Sequence, residues 1–558
     1  MTKHLREQLM SAMLLCCLSG CANAQNNIHN FDTTGFDFAA AAGPFEPSRQ
    51  SLGENYTCPE WFRDAKFGIY MHWNFNSVPG FNGHYARYMY HQHEPPAYTN
   101  HKGPGHNPSG YRPGSEKVYE YHVKHFGHPS VFGYKDFAPL WKAEKFDAEA
   151  LAAFYKKCGA KYIGVMAVHC DNFDLFDSTY QPWNSVNMGP KIDVVAAWKK
   201  ACENQNVRFA ITSHMSNQGH EHVFYQGEMD TTGPLAGIPY DTLDPKNDGL
   251  YGKRTPDRLY RLTPEFAQNW YRRTKELIDK YDPDLLYLDG GLPNGDYGLN
   301  LAAHFYNHNI KVNGKQDGVM TIKNGRGIPV PGFTVDVESA GINGLQERPW
   351  QVDTSINPGW FYLGGDISVM KNAEDAGMSE TQDSDTGRDR LRLTAGQVID
   401  NLVDIVSKNG NMLLNVGLRA DGSIPETFQH ELEQVGQWLE ANGEAIYETR
   451  PFITHGEGPS KIDTSKGYND HKNTFTGDDI RFTSKPNTLY AIFLEWPGDG
   501  VTKNITTLTK EKLETIESIT MLATGEKLIW TQNKYGLHVT LPNTKPGQFA
   551  YTLKITHK

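Results

Sequence analysis

Acids and histidines that close short apolar runs are the residues of this sequence best placed for chemistry. Asp289 ends Leu285-Leu286-Tyr287-Leu288 and is followed by Gly290-Gly291. Paired glycines let a second molecule approach the backbone closely, so this carboxylate could face a substrate; the alternative is an Asp that caps the next loop. His72, His169, His214 and Glu338 stand in the same way just past the runs 67–71, 162–168, 207–212 and 333–337. One such residue is usually a strand-end cap, whereas five in succession suggest a shared site. Two carboxyl groups flanking a glycosidic bond can cleave it, one attacking or activating water and the other protonating the leaving oxygen.

The elements that must position these residues alternate. From residue 60 onward short apolar runs, with another at 412–416, are separated by helical patterns, the signature of a βα-repeating fold. The spacing predicts helices over 147–158, opening on Asp147 and stopping at Gly159, and over 264–280, where Thr263-Pro264 supplies a cap followed by proline. Phe266, Trp270, Leu277 and Ile278 share one face of the second, and a third helix over 393–409 stops at Gly410. A (β/α) barrel builds its site where the βα-loops converge, at the carboxyl ends of the strands. After Arg450 the pattern changes to alternating segments such as Ile480-Arg481-Phe482-Thr483, separated by Gly, Pro and Asn. The expected architecture is therefore α/β: a (β/α)8-like barrel over 51–449, then a C-terminal antiparallel β-sandwich over 450–558. The stretch from His84 to His128 reads as one long βα-loop or lid.

Bulk properties narrow the partners. The chain has 558 residues, enough for one large and one smaller domain, and its formal net charge of -11 gives no basic stripe for nucleic acid. Aromatics make up 12%, which suits sugar faces and large cores alike. Lys3 and Arg6 precede a short apolar stretch ending Leu18-Ser19-Gly20-Cys21, which resembles a bacterial lipobox. Residues 1–21 are thus expected to be a lipoprotein signal with Cys21 lipidated, and 22–50 a tether; cleavage after Ala22-Asn23-Ala24 is the alternative. The expectation is an exported periplasmic or outer-membrane lipoprotein, membrane-bound through that anchor. Beyond the signal only Cys58, Cys158, Cys170 and Cys202 remain, spaced for neither a disulfide framework nor a CxxC site. A metal hydrolase could be read from His91-Gln92-His93-Glu94, but no apolar strand precedes it and no carboxylate–His set completes a shell. No metal and no cofactor are expected.

Several blocks resemble glycoside hydrolase family 29, the α-L-fucosidases. They are Trp61 through Trp73; Cys158-Gly159-Ala160-Lys161-Tyr162 with His169-Cys170-Asp171-Asn172-Phe173; the strand ending at Asp289; and Gly436-Gln437-Trp438-Leu439 with Asn442 through Tyr447. What the resemblance implies is a retaining two-step mechanism with Asp289 as nucleophile and Glu338 as acid/base, Asp336 being the second candidate and Glu347 the third. It further implies sugar contacts at His72, Trp73, His84, His169, Cys170, His214, Lys315 and Trp360, the last against the C6 methyl. There are departures: Cys170 replaces a second paired His, Gly83-His84 a Glu-Trp pair, Asn74 a Gly, Thr212-Ser213 a Tyr-bearing stretch, and Lys315 stands where an Arg is expected. The expected function is exo-acting release of terminal α-L-fucose or a closely related L-sugar. An α-L-galactosidase for algal, including sulfated, galactan oligosaccharides is the alternative, and a catalytically dead carbohydrate-binding relative is a third reading.

Overall fold

The computed structural model describes residues 31–92, 115–215, 227–252, 263–292, 295–323, 327–364, 391–462, 469–513 and 515–558. Eight parallel strands close a barrel in strict chain order: β1 Phe67–Met71, β2 Tyr162–Val168, β3 Arg208–Ser213, β4 Leu285–Leu288, β5 Val319–Lys323, β6 Thr334–Glu338, β7 Trp350–Ser355 and β8 Gly410–Asn415. Closure comes from β1 pairing with β8, Ile69 opposite Leu414. Sequence patterning foresees six of these strands but not β5 or β7. The latter, Trp-Gln-Val-Asp-Thr-Ser, turns polar residues into the barrel and so breaks the apolar run that marks a buried strand.

Helices α1 Ala148–Lys157, α2 Val194–Gln205, α3 Pro264–Tyr281, α4 Asp296–Asn313, α5 Ala395–Ser407 and α6 Glu426–Asn442 pack outside. Their starts follow from capping chemistry: the Asp147 side chain accepts from the Ala150 amide and Thr263 from the Phe266 amide, while Thr394 and Gln397 form a reciprocal box. Inside the barrel, Tyr70, Tyr162 and Tyr287 fill much of the space. Tyr162 fits because Gly68 faces it; a Cβ there would stand 2.4 Å from the ring.

The N-terminal segment differs from the expected tether. Phe36 meets Tyr271 of α3 and Tyr297 of α4 edge-on at 5.7 and 5.0 Å, and Phe38 meets Tyr271 at 5.1 Å. The Phe45 amide donates to Asn307 Oδ1 at 3.0 Å and the Ala41 amide to His304 Nδ1 at 2.9 Å. Burying Phe45 alone contributes about 1.5–3 kcal/mol, and helix Arg49–Asn55 follows directly. Small polar residues gave this stretch a linker's composition, but four phenylalanines, Phe31, Phe36, Phe38 and Phe45, pack it against the barrel core. The signal residues 1–21, Cys21 and the first part of the tether lie outside the described residues.

Beyond Arg450 two antiparallel sheets share one apolar core. Strands β9 Arg450–Glu457, β10 Ile480–Lys485, β11 Thr488–Phe493, β13 Ile516–Met521 and β16 Tyr551–His557 form the larger; β12 Thr502–Ile505, β14 Ile529–Asn533 and β15 Gly536–Thr540 form the smaller. Phe482, Leu489 and Leu553 of one meet Ile505, Leu537 and Val539 of the other. This unit is fastened to the barrel by buried polar groups. Asp404 on α5 holds Arg481 of β10 at 2.7 Å and Lys408 at 2.7 Å, Arg392 pairs with Asp470, and the Trp438 indole of α6 donates to the Ala550 carbonyl at 2.8 Å.

Candidate active site

At the carboxyl ends of the strands, β4 delivers Asp289, β5 Lys323, β6 Glu338 and β7 Asp353. Lys323 Nζ lies 2.9 Å from Asp289 Oδ1, 2.8 Å from Glu338 Oε2 and 3.3 Å from Asp353 Oδ2. One ammonium thus touches both carboxylates expected to do chemistry. Their bonded oxygens can be no farther apart than those two contacts laid end to end, which is compatible with the about 5–5.5 Å of a retaining pair.

The two carboxyl groups are pushed in opposite directions. Burial raises the Asp289 carboxyl, but the Lys323 ammonium and a 3.2 Å contact from His214 Nδ1 outweigh it and hold the group well below the usual carboxylate range. Glu338 is lifted above its ordinary value by burial; Lys323 opposes this, while Asp353 and Asp289 add to it. Burial lowers the Lys323 ammonium, yet Asp289, Asp353 and Glu338 together hold it well above its ordinary value. Environments that split two carboxyl groups in this way assign one as the ionised partner and the other as the proton carrier.

Three histidines form the adjoining wall. The His72 ring lies 4.5 Å from that of His214 and 5.4 Å from that of His169. Burial depresses both His72 and His169, so both stay neutral. The tautomer of His72 follows from its neighbour. Asn415 Nδ2 donates to the Trp360 carbonyl at 2.8 Å, which makes Asn415 Oδ1 the acceptor for His72 Nδ1 at 2.9 Å. His72 Nε2 is left as an acceptor, the role a sugar hydroxyl requires. His72, His169 and His214 also bring one ligand atom each within 4.8 Å of one another, so a metal ion could be held here. The His214–Asp289 contact and the 3.1 Å contact of His214 Nε2 with Thr212 Oγ1 occupy both nitrogens of that ring, which favours a hydrogen-bonding wall.

Comparison with known proteins gives this geometry a family. The family model for alpha-L-fucosidase matches residues 36–376 and 384–444, and the model for the alpha-L-fucosidase C-terminal domain matches 472–556. The chain belongs to the α-L-fucosidase family, glycoside hydrolase family 29. Rattus norvegicus tissue alpha-L-fucosidase is 28% identical over 528 residues, covering 92% of this chain and 92% of that protein. Homo sapiens plasma alpha-L-fucosidase is 28% identical over 542 residues, covering 93% and 94%. The crystal structure of Thermotoga maritima alpha-fucosidase in complex with fucose superimposes with a TM-score of 0.64 at 27% identity, over 92% of this chain and all of that one. The protein is accordingly a glycoside hydrolase, with the parallel barrel and C-terminal antiparallel domain of its relatives.

In this family member the sequence-derived site is only partly assembled. Asp289, Glu338, His72, His169 and His214 converge, and Trp360 joins them with its ring 5.3 Å from His72 and 5.8 Å from Lys323 Nζ. His84 stands half-buried at the rim, 5.9 Å from the His169 ring. Cys170 is buried behind the wall and donates its thiol to the His214 carbonyl at 3.2 Å. Trp73 is core: its indole donates to the Arg419 carbonyl and packs against Trp141 and Phe146. Lys315 lies at the opposite end of the barrel, before β5, 71% exposed and paired with Asp317. Glu347, before β7, is likewise at the far end, and Asp336 is buried inside the barrel. His91 is buried, while His93 and Glu94 lie outside the described residues. Lys323 and Asp353 were missed because both ride on the unforeseen strands. The available signal was a lysine ending Val319-Met320-Thr321-Ile322, the same strand-end position that marks Asp289.

Proposed function

We propose that this enzyme releases terminal α-L-fucose from glycans by double displacement. Asp289, ionised, attacks the anomeric carbon as the bond to the aglycone oxygen breaks, and Glu338 gives that oxygen its proton. In the second step Glu338 takes a proton from water, which attacks the glycosyl ester and frees Asp289. The observation that carries this reading is the single Lys323 ammonium joining two carboxyl groups whose proton affinities are driven apart. Neutral His72 and His169 supply hydroxyl contacts, and the Trp360 face offers an apolar surface for the C6 methyl. Proton NMR during hydrolysis of an aryl α-L-fucoside should show the α anomer first; a β anomer first would rule the mechanism out.

A second reading is supported by the rim. Gly83 lies beside Trp360, whose amide nitrogen is 3.7 Å from where a Gly83 Cβ would stand, and the neighbouring His84 is a polar group that an added C6 hydroxyl could use. On that reading the sugar is α-L-galactose, taken from algal and even sulfated galactan oligosaccharides. Comparing kcat/KM for α-L-fucoside and α-L-galactoside carrying the same leaving group decides between them, and turnover of either removes the reading of a catalytically dead binder. Export and anchoring rest on the Lys3–Cys21 pattern; among the described residues no helix is long and apolar enough to cross a membrane. Metabolic labelling with a fatty-acid analogue should mark the wild type and not Cys21→Ser.

A further inference from the structure

Among the described residues, the barrel beneath the catalytic pair holds more carboxyl groups than the Lys323 ammonium balances. Asp336 of β6 and Asp353 of β7 are both buried on adjacent strands. The Tyr287 hydroxyl reaches both, 3.3 Å from Asp336 Oδ1 and 3.1 Å from Asp353 Oδ2, but a phenol has one proton and serves one acceptor at a time. Asp353 Oδ2 also collects Tyr70 at 3.3 Å and Lys323 at 3.3 Å. Gln351 donates to Asp336 Oδ2 at 2.8 Å, and the Tyr162 hydroxyl in turn meets Gln351 Oε1 at 3.3 Å. Among the described residues Asp353 Oδ1 is buried with no donor at all.

A buried carboxylate oxygen without a donor is costly, and two carboxylates sharing one site do not both stay ionised. A proton on Asp336, directed at Asp353, answers both. We propose that Asp336 and Asp353 share one proton and act as a singly charged floor that positions Lys323 between Asp289 and Glu338, setting the exchange of Glu338 from acid to base. This deepens the proposed double displacement and rests on its roles for Asp289 and Glu338. Supporting it, burial followed by Asp353 holds the Asp336 carboxyl well above its usual range, against the pull of Lys323.

The charge count gives the floor its function. Facing it are Tyr70 of β1, Tyr162 of β2, Tyr287 and Asp289 of β4, Lys323 of β5, Glu338 of β6 and Gln351 of β7. With two charges below, Lys323 would be drawn down from the catalytic pair. With none, it would serve only Asp289 and Glu338, favouring ionised Glu338 and removing the acid. One charge leaves it shared among three carboxyl groups. When Asp289 becomes a neutral glycosyl ester, its share of Lys323 passes to Glu338 and Asp353, which favours Glu338 as a carboxylate when a base is needed. The floor's own proton is neither consumed nor released: Glu338 gives one to the aglycone oxygen and regains one from water.

The test is the pH dependence of kcat and KM for the full chain on an α-L-fucoside with a poor leaving group, in Asp336→Asn and Asp353→Asn, with folding checked by circular dichroism. Asp336→Asn keeps a neutral donor facing Asp353, so it should lose several-fold at most and keep both limbs of the profile. Asp353→Asn removes the charge that helps raise Glu338. It should lose about a hundredfold or more in kcat with little change in KM, and its basic limb should move to lower pH. Equal losses in the two variants, or an unmoved basic limb in Asp353→Asn, would overturn the floor. Should Asp353→Asn not fold, a shifted limb in Asp336→Asn alone overturns it. A β anomer released first by the wild type is a separate result, removing the double displacement itself.

Discussion

Strands β3, β4 and β5 each carry ionisable side chains at both ends, and the two ends behave differently. At the amino end Arg208 bonds Asp284 at 2.6 Å and Asp317 at 3.2 Å, and Lys315 bonds Asp317 at 3.1 Å. There two cations meet two carboxylates beside solvent, Arg208 being 39% exposed. At the carboxyl end the same strands present His214, Asp289 and Lys323, with, among the described residues, one ammonium among three carboxyl groups and a histidine wall in which His72 and His169 are neutral. The first arrangement is locally neutral and screened, so it contributes little beyond holding loops. The second, among the described residues, is short of positive charge around the largely buried Lys323, so each proton or ester formed there redistributes the remaining field. Similar residue types thus make a scaffold at one end and a reactive site at the other, according to charge balance.

Breaking the reactive end should have the largest effect. Asp289→Ala is expected to lose on the order of ten-thousandfold in kcat, with azide restoring turnover as an external nucleophile; wild-type-like hydrolysis would end its assignment. Glu338→Ala should lose about a hundred- to ten-thousandfold on natural glycosides with poor leaving groups, and far less on activated aryl glycosides. If Asp336→Ala shows that leaving-group pattern and Glu338→Ala does not, the acid lies two residues earlier.

The charge imbalance also fixes the pH response. The proposed double displacement requires Asp289 ionised and Glu338 protonated, so kcat/KM should be bell-shaped. Its acid limb should fall below the ordinary carboxylate range, where Asp289 finally takes a proton, and its basic limb above 4.5, the ordinary value from which Glu338 is raised. Glu338→Gln should abolish the basic limb on an activated substrate. At the other end, Lys315→Ala should leave kcat/KM within about twofold and stability within about 0.5 kcal/mol. A large loss in that variant would erase the distinction between the two ends.

Much of the barrel was legible because its outward-facing strand residues are apolar and its helices carry strong caps, as at Asp147 and Thr263. What escaped was the polar inner surface. Gln351 and Asp353 interrupt the run that marks a buried strand, and their partners Tyr287 and Lys323 are remote in sequence, so nothing local announces the network. Lys315 drew attention as the basic residue near the position of an expected Arg, yet eight residues onward along β5 carries the chain from one end of the barrel to the other. Trp73 adjoins a site histidine in sequence, but successive side chains point to opposite sides of the chain, so His72 faces the sugar wall and Trp73 the core. Composition misled in 36–50, where a few phenylalanines outweigh many small polar residues.

The buried clasp between α5 and β10 bears on cooperativity. Removing residues 450–558 would strip Arg481 from Asp404, leaving that carboxylate with Lys408 alone, and would uncover the α6 face that Trp438 seals. Helix α5 leads directly into β8, whose Asn415 fixes the proton on His72, so loosening the clasp loosens the sugar wall. The two folding units are therefore expected to unfold together, and calorimetry should record a single unfolding endotherm that coincides with the loss of activity.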